Sequence, residues 1–166
     1  MKKKKPGFTL MEMIIVLSLT VIILGIASSM FITGNKVFSE SDVKSTLQIE
    51  EQAIQEKISD IGMQASGTIE DVTLGTLIKS YNKSGEERYY KIEKAGKQLT
   101  IMEYSKNDAG DFQKENTQII SDHVVAFIAT YDDSSAEFNI NLNLKKGYSD
   151  VNYPIQFKIA FRNKNN

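Results

Sequence analysis

Hydrophobic positions change their spacing twice along the chain, and each change marks a different kind of element. From Met13 to Phe31 the run MIIVLSLTVIILGIASSMF is apolar on all sides, and Glu12 is the only ionisable residue between Phe8 and Asn35. Nineteen such residues suffice for a helix to cross a bilayer core of about 30 Å. From Lys36 to about Met63 the text is rich in Gln and Glu and holds no proline. Val43, Leu47, Ile54, Ile58 and Ile61 fall on one stripe at helical spacing, interrupted by Glu50 and Glu51. Ser39-Glu40-Ser41-Asp42 offers a fresh cap after Gly34-Asn35, so the pattern fits one bent helix or two in line. Gly62 to Gly67 ends it.

The last hundred residues switch to period two. Arg88–Glu93 and Gln98–Tyr104 flank Lys94-Ala-Gly-Lys97 as a hairpin. Val125, Phe127, Ala129 and Tyr131 alternate, as do Phe138, Ile140, Leu142 and Leu144, and finally Ile155, Phe157, Ile159 and Phe161. Five such runs predict an antiparallel sheet with one apolar face, which needs a cover. The helix stripe supplies one. The expected fold class is α+β, a long N-terminal helix packed on a C-terminal antiparallel β-sheet. Its parts are a basic leader over 1–7, a hydrophobic helix over 8–35, an amphipathic helix over 36–66 and a strand-rich head over 67–166.

Composition narrows the function. The 166 residues carry a net charge of −1, so no bulk basic field marks a nucleic-acid binder. The absence of cysteine excludes a disulfide framework, thiolate metal sites and thiol catalysis, and the single histidine, His123, excludes a multi-histidine centre. His123 at a strand start reads as a surface or edge residue. Asp108-Ala-Gly-Asp111 and Asp132-Asp133 have carboxylates for calcium but lack the loop spacing that holds it, and turn chemistry accounts for both. Asn139, Asn141 and Asn143 read as a solvated sheet face. Tyr89 and Tyr90 between Arg88 and Lys91 suggest base stacking, yet neighbours on a strand point to opposite faces, which puts one in a core. No catalytic, cofactor or metal constellation emerges, and an enzyme is not expected.

The N-terminus carries the sharpest signal. Lys2, Lys3, Lys4 and Lys5 precede Pro6-Gly7, and by the positive-inside rule they stay cytoplasmic while the part of the chain after the apolar run lies outside. A secretory signal peptide has the same ingredients, with Ala27-Ser28-Ser29 as its cleavage site. The apolar run is longer than such peptides use, and Glu12 gains them nothing. Thr9-Leu10-Met11-Glu12 fits a capping box, with Glu12 at the positive end of the helix dipole. A carboxylate beside an apolar span is costly enough to call for a partner as well.

KKKKPGFTLMEMIIVLSLTVIILGIA resembles the N-terminal segment of type IV prepilins and of the pseudopilins of type II secretion and competence systems: a basic leader ending in Gly, then Phe-Thr-Leu-x-Glu and an apolar helix. The resemblance covers about 30 residues. It implies cleavage by a prepilin peptidase between Gly7 and Phe8, N-methylation of Phe8, and pairing of Glu12 with the Phe8 amine of an adjacent subunit. It also implies other pilin subunits, the assembly machinery and membrane lipid as partners, and a surface or extracytoplasmic filament as destination. Removing the leader takes away four lysines and leaves 16 basic and 21 acidic side chains, a net charge of −5. No proline stands between Pro6 and Pro154, so any local melt of the helix would use Gly25 or Thr33-Gly34-Asn35. The missing proline and disulfide fit minor pilins and pseudopilins, or cysteine-poor Gram-positive systems, better than a disulfide-bearing major pilin, and the tail Tyr153–Arg162 most resembles minor pilins and J-type pseudopilins.

Overall fold

The computed structural model describes residues 7–82 and 84–162. The leader lysines Lys2, Lys3, Lys4 and Lys5 lie outside the described residues. One helix, α1, runs unbroken from Leu10 to Gln64, 55 residues and about 80 Å at 1.5 Å per residue. It passes through Gly25 and Thr33-Gly34-Asn35 without a melt, and no second cap forms at Ser39–Asp42. Ser39 and Asp42 instead face the head: Ser39 Oγ donates to the Lys146 carbonyl at 3.3 Å and Asp42 pairs with Lys146 Nζ at 2.9 Å. The helix ends where Ala65 turns extended and donates its N–H to the Gly62 carbonyl.

Eight antiparallel strands follow: β1 (Ala65–Asp71), β2 (Gly75–Tyr81), β3 (Glu87–Ala95), β4 (Gln98–Lys106), β5 (Phe112–Ser121), β6 (Val124–Asp132), β7 (Ser135–Lys146) and β8 (Ser149–Ala160). They form two sheets where the periodicity suggested one, a five-stranded meander β1–β5 and a three-stranded meander β6–β8. β1 lies beside β6, and the Val124 N–H donates to the Lys97 carbonyl at 2.9 Å, so the second sheet is stitched to the first. The stripe Val43, Leu47, Ile54, Ile58 and Ile61 is buried throughout, chiefly against β8 and β7. One core joins it to Ile78, Ile92, Leu99 and Ile101 of the first sheet and to Phe138, Ile140, Leu142, Ile155 and Ile159 of the second.

Two of the expected strand faces need correction. Val125 was expected inward but is exposed, because a bulge lies between Val124 and Ala126 in the pairing with β7. Val124 fills the inward slot instead, as an extra residue in one strand shifts the alternation by one. The Asn139, Asn141 and Asn143 face is half-buried rather than solvated. Asn143 Nδ2 donates to Asp150 Oδ1 at 2.8 Å and to Asn152 Oδ1 at 3.0 Å, while Asn141 Oδ1 is buried with no partner among the described residues.

Helix and sheet approach most closely at Gly62. A Cβ there would stand 2.9 Å from Ile159 Cδ1 and 3.2 Å from Ile159 Cβ. Alanine gains up to about 1 kcal/mol in helix propensity, but overpacking a filled core costs about 1–3 kcal/mol. Gly62→Ala is therefore expected to destabilise the head. Adding Ile159→Ala should cost less than the sum of the two single changes, since it opens the space the new methyl needs. Chemical unfolding of the two single variants and the pair measures this coupling, and strict additivity would show that the contact is not what limits position 62.

Candidate functional site: the N-terminal segment and its helix

Thr9 is the N-cap of α1, extended at φ −77° and ψ 153°. The Thr9 N–H donates to Glu12 Oε2 at 3.0 Å, and the Glu12 N–H donates to Thr9 Oγ1 at 3.2 Å. This is the reciprocal capping box that the spacing predicts, and it satisfies two backbone donors that the first turn leaves free. Glu12 is the acidic residue of that turn, at the positive end of the helix dipole. Gly7 and Phe8 precede the helix, Phe8 is 82% exposed, and among the described residues nothing lies within 4 Å of where a Cβ on Gly7 would sit. Among the described residues nothing covers the bond between these two.

Beyond Glu12 the helix presents apolar side chains in every direction. Each large apolar residue from Met13 to Ile32 is more than half exposed, and none of the best membrane-spanning window is covered by the head. That window has a mean hydropathy of 2.6, and the helix is long and apolar enough to cross a membrane. Two of its polar groups are satisfied within the helix. Ser18 Oγ donates to the Ile14 carbonyl and Thr20 Oγ1 to the Val16 carbonyl, each at 2.8 Å, as groups facing lipid must be. A surface so large and apolar is unstable in water, so it calls for lipid or for other helices.

Residues 2–28 match the family described as the prokaryotic N-terminal methylation motif. The chain begins with a prepilin-like N-terminus. The methylation motif implies processing by a prepilin peptidase and assembly with other pilin subunits, and the exposed helix fits membrane anchoring before that assembly. The motif covers the leader, the capping box and most of the apolar run, and it says nothing of the head. No curated protein and no solved structure matches the chain.

The head residues singled out by type take up structural positions. His123 stands just before the edge strand β6, and there its half-buried ring is tied to the helix, with Nδ1 2.9 Å from Glu50 Oε2. The hydroxyl of Tyr153 donates to Glu51 Oε2 at 2.8 Å, and that bond raises the Tyr153 pKa. Glu50 and Glu51, which break the apolar stripe in the sequence, thus tie the helix to the second sheet. Tyr89 and Tyr90 do point to opposite faces, but both are packed. Tyr90 leans on the main core, while Tyr89 sits with Leu77 and Tyr104 in a second cluster on the far face of the first sheet. Tyr89 meets Phe112 edge-on at 5.0 Å, and burial, reinforced by its bond to Glu87, pushes its hydroxyl up to about 12. Arg88 pairs with Glu86 at 3.0 Å and Lys91 with Glu93 at 2.8 Å, so neither ring nor cation is free for bases.

The aspartate turns are built as turns. Asn107 Oδ1 accepts from the N–H groups of Ala109 and Asp111 across the β4–β5 tip, and Asp132 Oδ1 accepts from the Asp133 N–H at the β6–β7 tip. Among the described residues no three acidic or histidine side chains converge as a metal site.

Proposed function

We propose that this chain is a type IV pilin-like structural subunit of the minor-pilin kind, cleaved after Gly7, methylated at Phe8 and assembled into a surface filament through its N-terminal helix. The observation that carries the reading is the pairing of the methylation motif with a helix whose first half is bare. In the membrane the bare half faces lipid; in a filament the same surface packs against copies of itself or related helices, and the head stays outside. Glu12 supplies the charge that accepts the Phe8 amine of a neighbouring subunit once cleavage has created it. The leader lysines hold the chain with its N-terminus in the cytoplasm until then. The head works by contact and performs no chemistry of its own.

A pseudopilin of a type II secretion or competence system shares this geometry and is the second reading. An acidic mature charge of −5 disfavours a head that handles DNA directly. A third reading, a single-pass anchored binding domain that is never processed, leaves the motif unused. Intact mass and N-terminal sequencing of the protein from its host, with and without the prepilin peptidase, separates the two processed readings from the third. The expected product begins at methylated Phe8 and depends on that enzyme. A product cut after Ser29 or an uncut chain starting at Met1 would overturn the filament reading.

A further inference from the structure

The β7–β8 hairpin ends in a two-residue tip, Gly147-Tyr148, that reaches back along α1 to the edge of the apolar span. Gly147 takes φ +59°, the left-handed conformation that favours glycine, and a Cβ there would lie 3.5 Å from Ser39 Oγ. Three contacts fix the tip to the helix. Ser39 Oγ donates to the Lys146 carbonyl, Ser149 Oγ donates to Ser39 Oγ at 3.1 Å, and Lys146 Nζ meets Asp42 at 2.9 Å. Tyr148 is nonetheless 84% exposed. Together with Phe31, Ile32, Asn35 and Lys36 it lines a cleft of about 360 Å³.

The height of that cleft follows from the helix. Counting from Glu12 at one surface, about 20 residues at 1.5 Å each cross a core of about 30 Å, which places Ile32 at the opposite boundary. Lys36, one turn on, is the first charge after Glu12. Tyr148 therefore stands at the level where tyrosine is favoured, the layer in which an aromatic ring meets the acyl boundary and a hydroxyl meets the headgroups. The charges around it sort accordingly. Glu40 is paired with Lys44 and Asp42 with Lys146, and the Lys44 contact lowers the Glu40 pKa. Lys36 has no ion-pair partner among the described residues. Lys145, opposite Asp150 in the β7–β8 ladder, adds a second exposed ammonium beside the tip.

We propose that the β7–β8 tip is a membrane-contact element, in which Tyr148 seats in the outer headgroup layer and Lys36 reaches lipid phosphate, setting the height and tilt of the head before assembly. This rests on the reading of α1 as a membrane span. The occupant is the phospholipid surface, because the cleft is continuous with the lipid-facing helix and joins an apolar wall to a cation.

The chain has no native cysteine, so single labels report one position each. Full-length chain carrying Lys145→Cys, Leu19→Cys or Met63→Cys is labelled with an environment-sensitive fluorophore. It is then placed in phosphatidylethanolamine–phosphatidylglycerol vesicles bearing quenchers either on the headgroup or deep in the acyl chain. Leu19 should be quenched by deep quenchers, Met63 by neither, and position 145 several-fold more by headgroup quenchers than Met63. Tyr148→Ser in the Lys145→Cys background should remove most of that difference. A deep Leu19 with position 145 no more quenched than Met63 overturns the proposal and leaves the tip to a neighbouring subunit. A Leu19 probe that stays in water overturns the membrane reading itself and the proposal with it. A quenched position 145 that ignores Tyr148→Ser removes the tyrosine from the role and overturns the proposal as stated.

Discussion

Phe138→Ala is expected to cost the head about 3–5 kcal/mol, the range for deleting a buried aromatic ring. Phe138 is fully buried on β7 at the centre of an aromatic group, with Phe157 stacked at 5.3 Å, Tyr131 edge-on at 6.1 Å and Phe127 at 6.3 Å. Removing the ring leaves three others without their common partner and opens a cavity between sheet and helix. Domains of this size are stable by only about 5–15 kcal/mol, so the variant spends a large share of the total. A melting temperature lower by roughly 10–20 °C follows. Near-ultraviolet circular dichroism of the full chain in detergent would read this from its tyrosines. Val72→Ala, at the fully exposed β1–β2 tip, serves as the control and should stay within about 0.5 kcal/mol of the parent. Membrane insertion of the variant should be normal, because none of the span is buried in the head. A Phe138→Ala head as stable as the parent would mean that the aromatic group is not the centre of the core.

What the sequence reveals of this fold depends on how local the physics is. The helix stripe is legible residue by residue, because one face of α1 meets one core and the period of 3.6 survives intact. β3, β4, β7 and β8 are legible for the same reason at period two. β2 is hidden because adjacent Leu77 and Ile78 are both fully buried, one in each of the two clusters, so its inward and outward positions look alike. β5 is hidden for the opposite reason: from Gln113 to Gln118 it is polar and exposed, a sheet edge with no apolar rhythm. β1 starts directly after the helix with Ser66-Gly67 and a bulge, which reads as a helix stop rather than a strand. The division into two sheets turns on strand pairing, which hydropathy does not encode.

The candidate site follows the same logic. Gly7, Phe8, Thr9 and Glu12 lie within six residues, and the capping geometry of Thr9 and Glu12 is set within one helical turn, so spacing alone predicts it. The Glu50–His123 and Glu51–Tyr153 ties join residues 73 and 102 positions apart, and only the fold brings them together. The interruption of the apolar stripe by two glutamates was the available signal. A charged residue inside a buried face needs a partner, and a nearby sheet can supply one.

Glu12→Ala and Glu12→Gln are expected to enter the membrane at parental levels and to drop out of the filament. The two substitutions separate the roles that meet in this carboxylate. Alanine removes both the capping box and the charge. Glutamine can keep the box, because its amide oxygen still accepts from the Thr9 N–H, but it cannot neutralise an ammonium. If Glu12 served only to start the helix, glutamine would assemble almost normally and alanine would lose the modest cost of a cap, about 1 kcal/mol. If it pairs with the Phe8 amine of a neighbour, either change leaves that amine buried and uncompensated among apolar helices. Breaking a buried pair costs about 3–5 kcal/mol, so incorporation should fall at least about a hundredfold. Quantifying each variant in sheared filaments against the membrane fraction decides it. Glutamine behaving like alanine assigns the charge to assembly, since the cap it retains has not rescued incorporation. Glutamine behaving like the parent would reduce Glu12 to a capping residue and remove the electrostatic step by which a processed subunit docks.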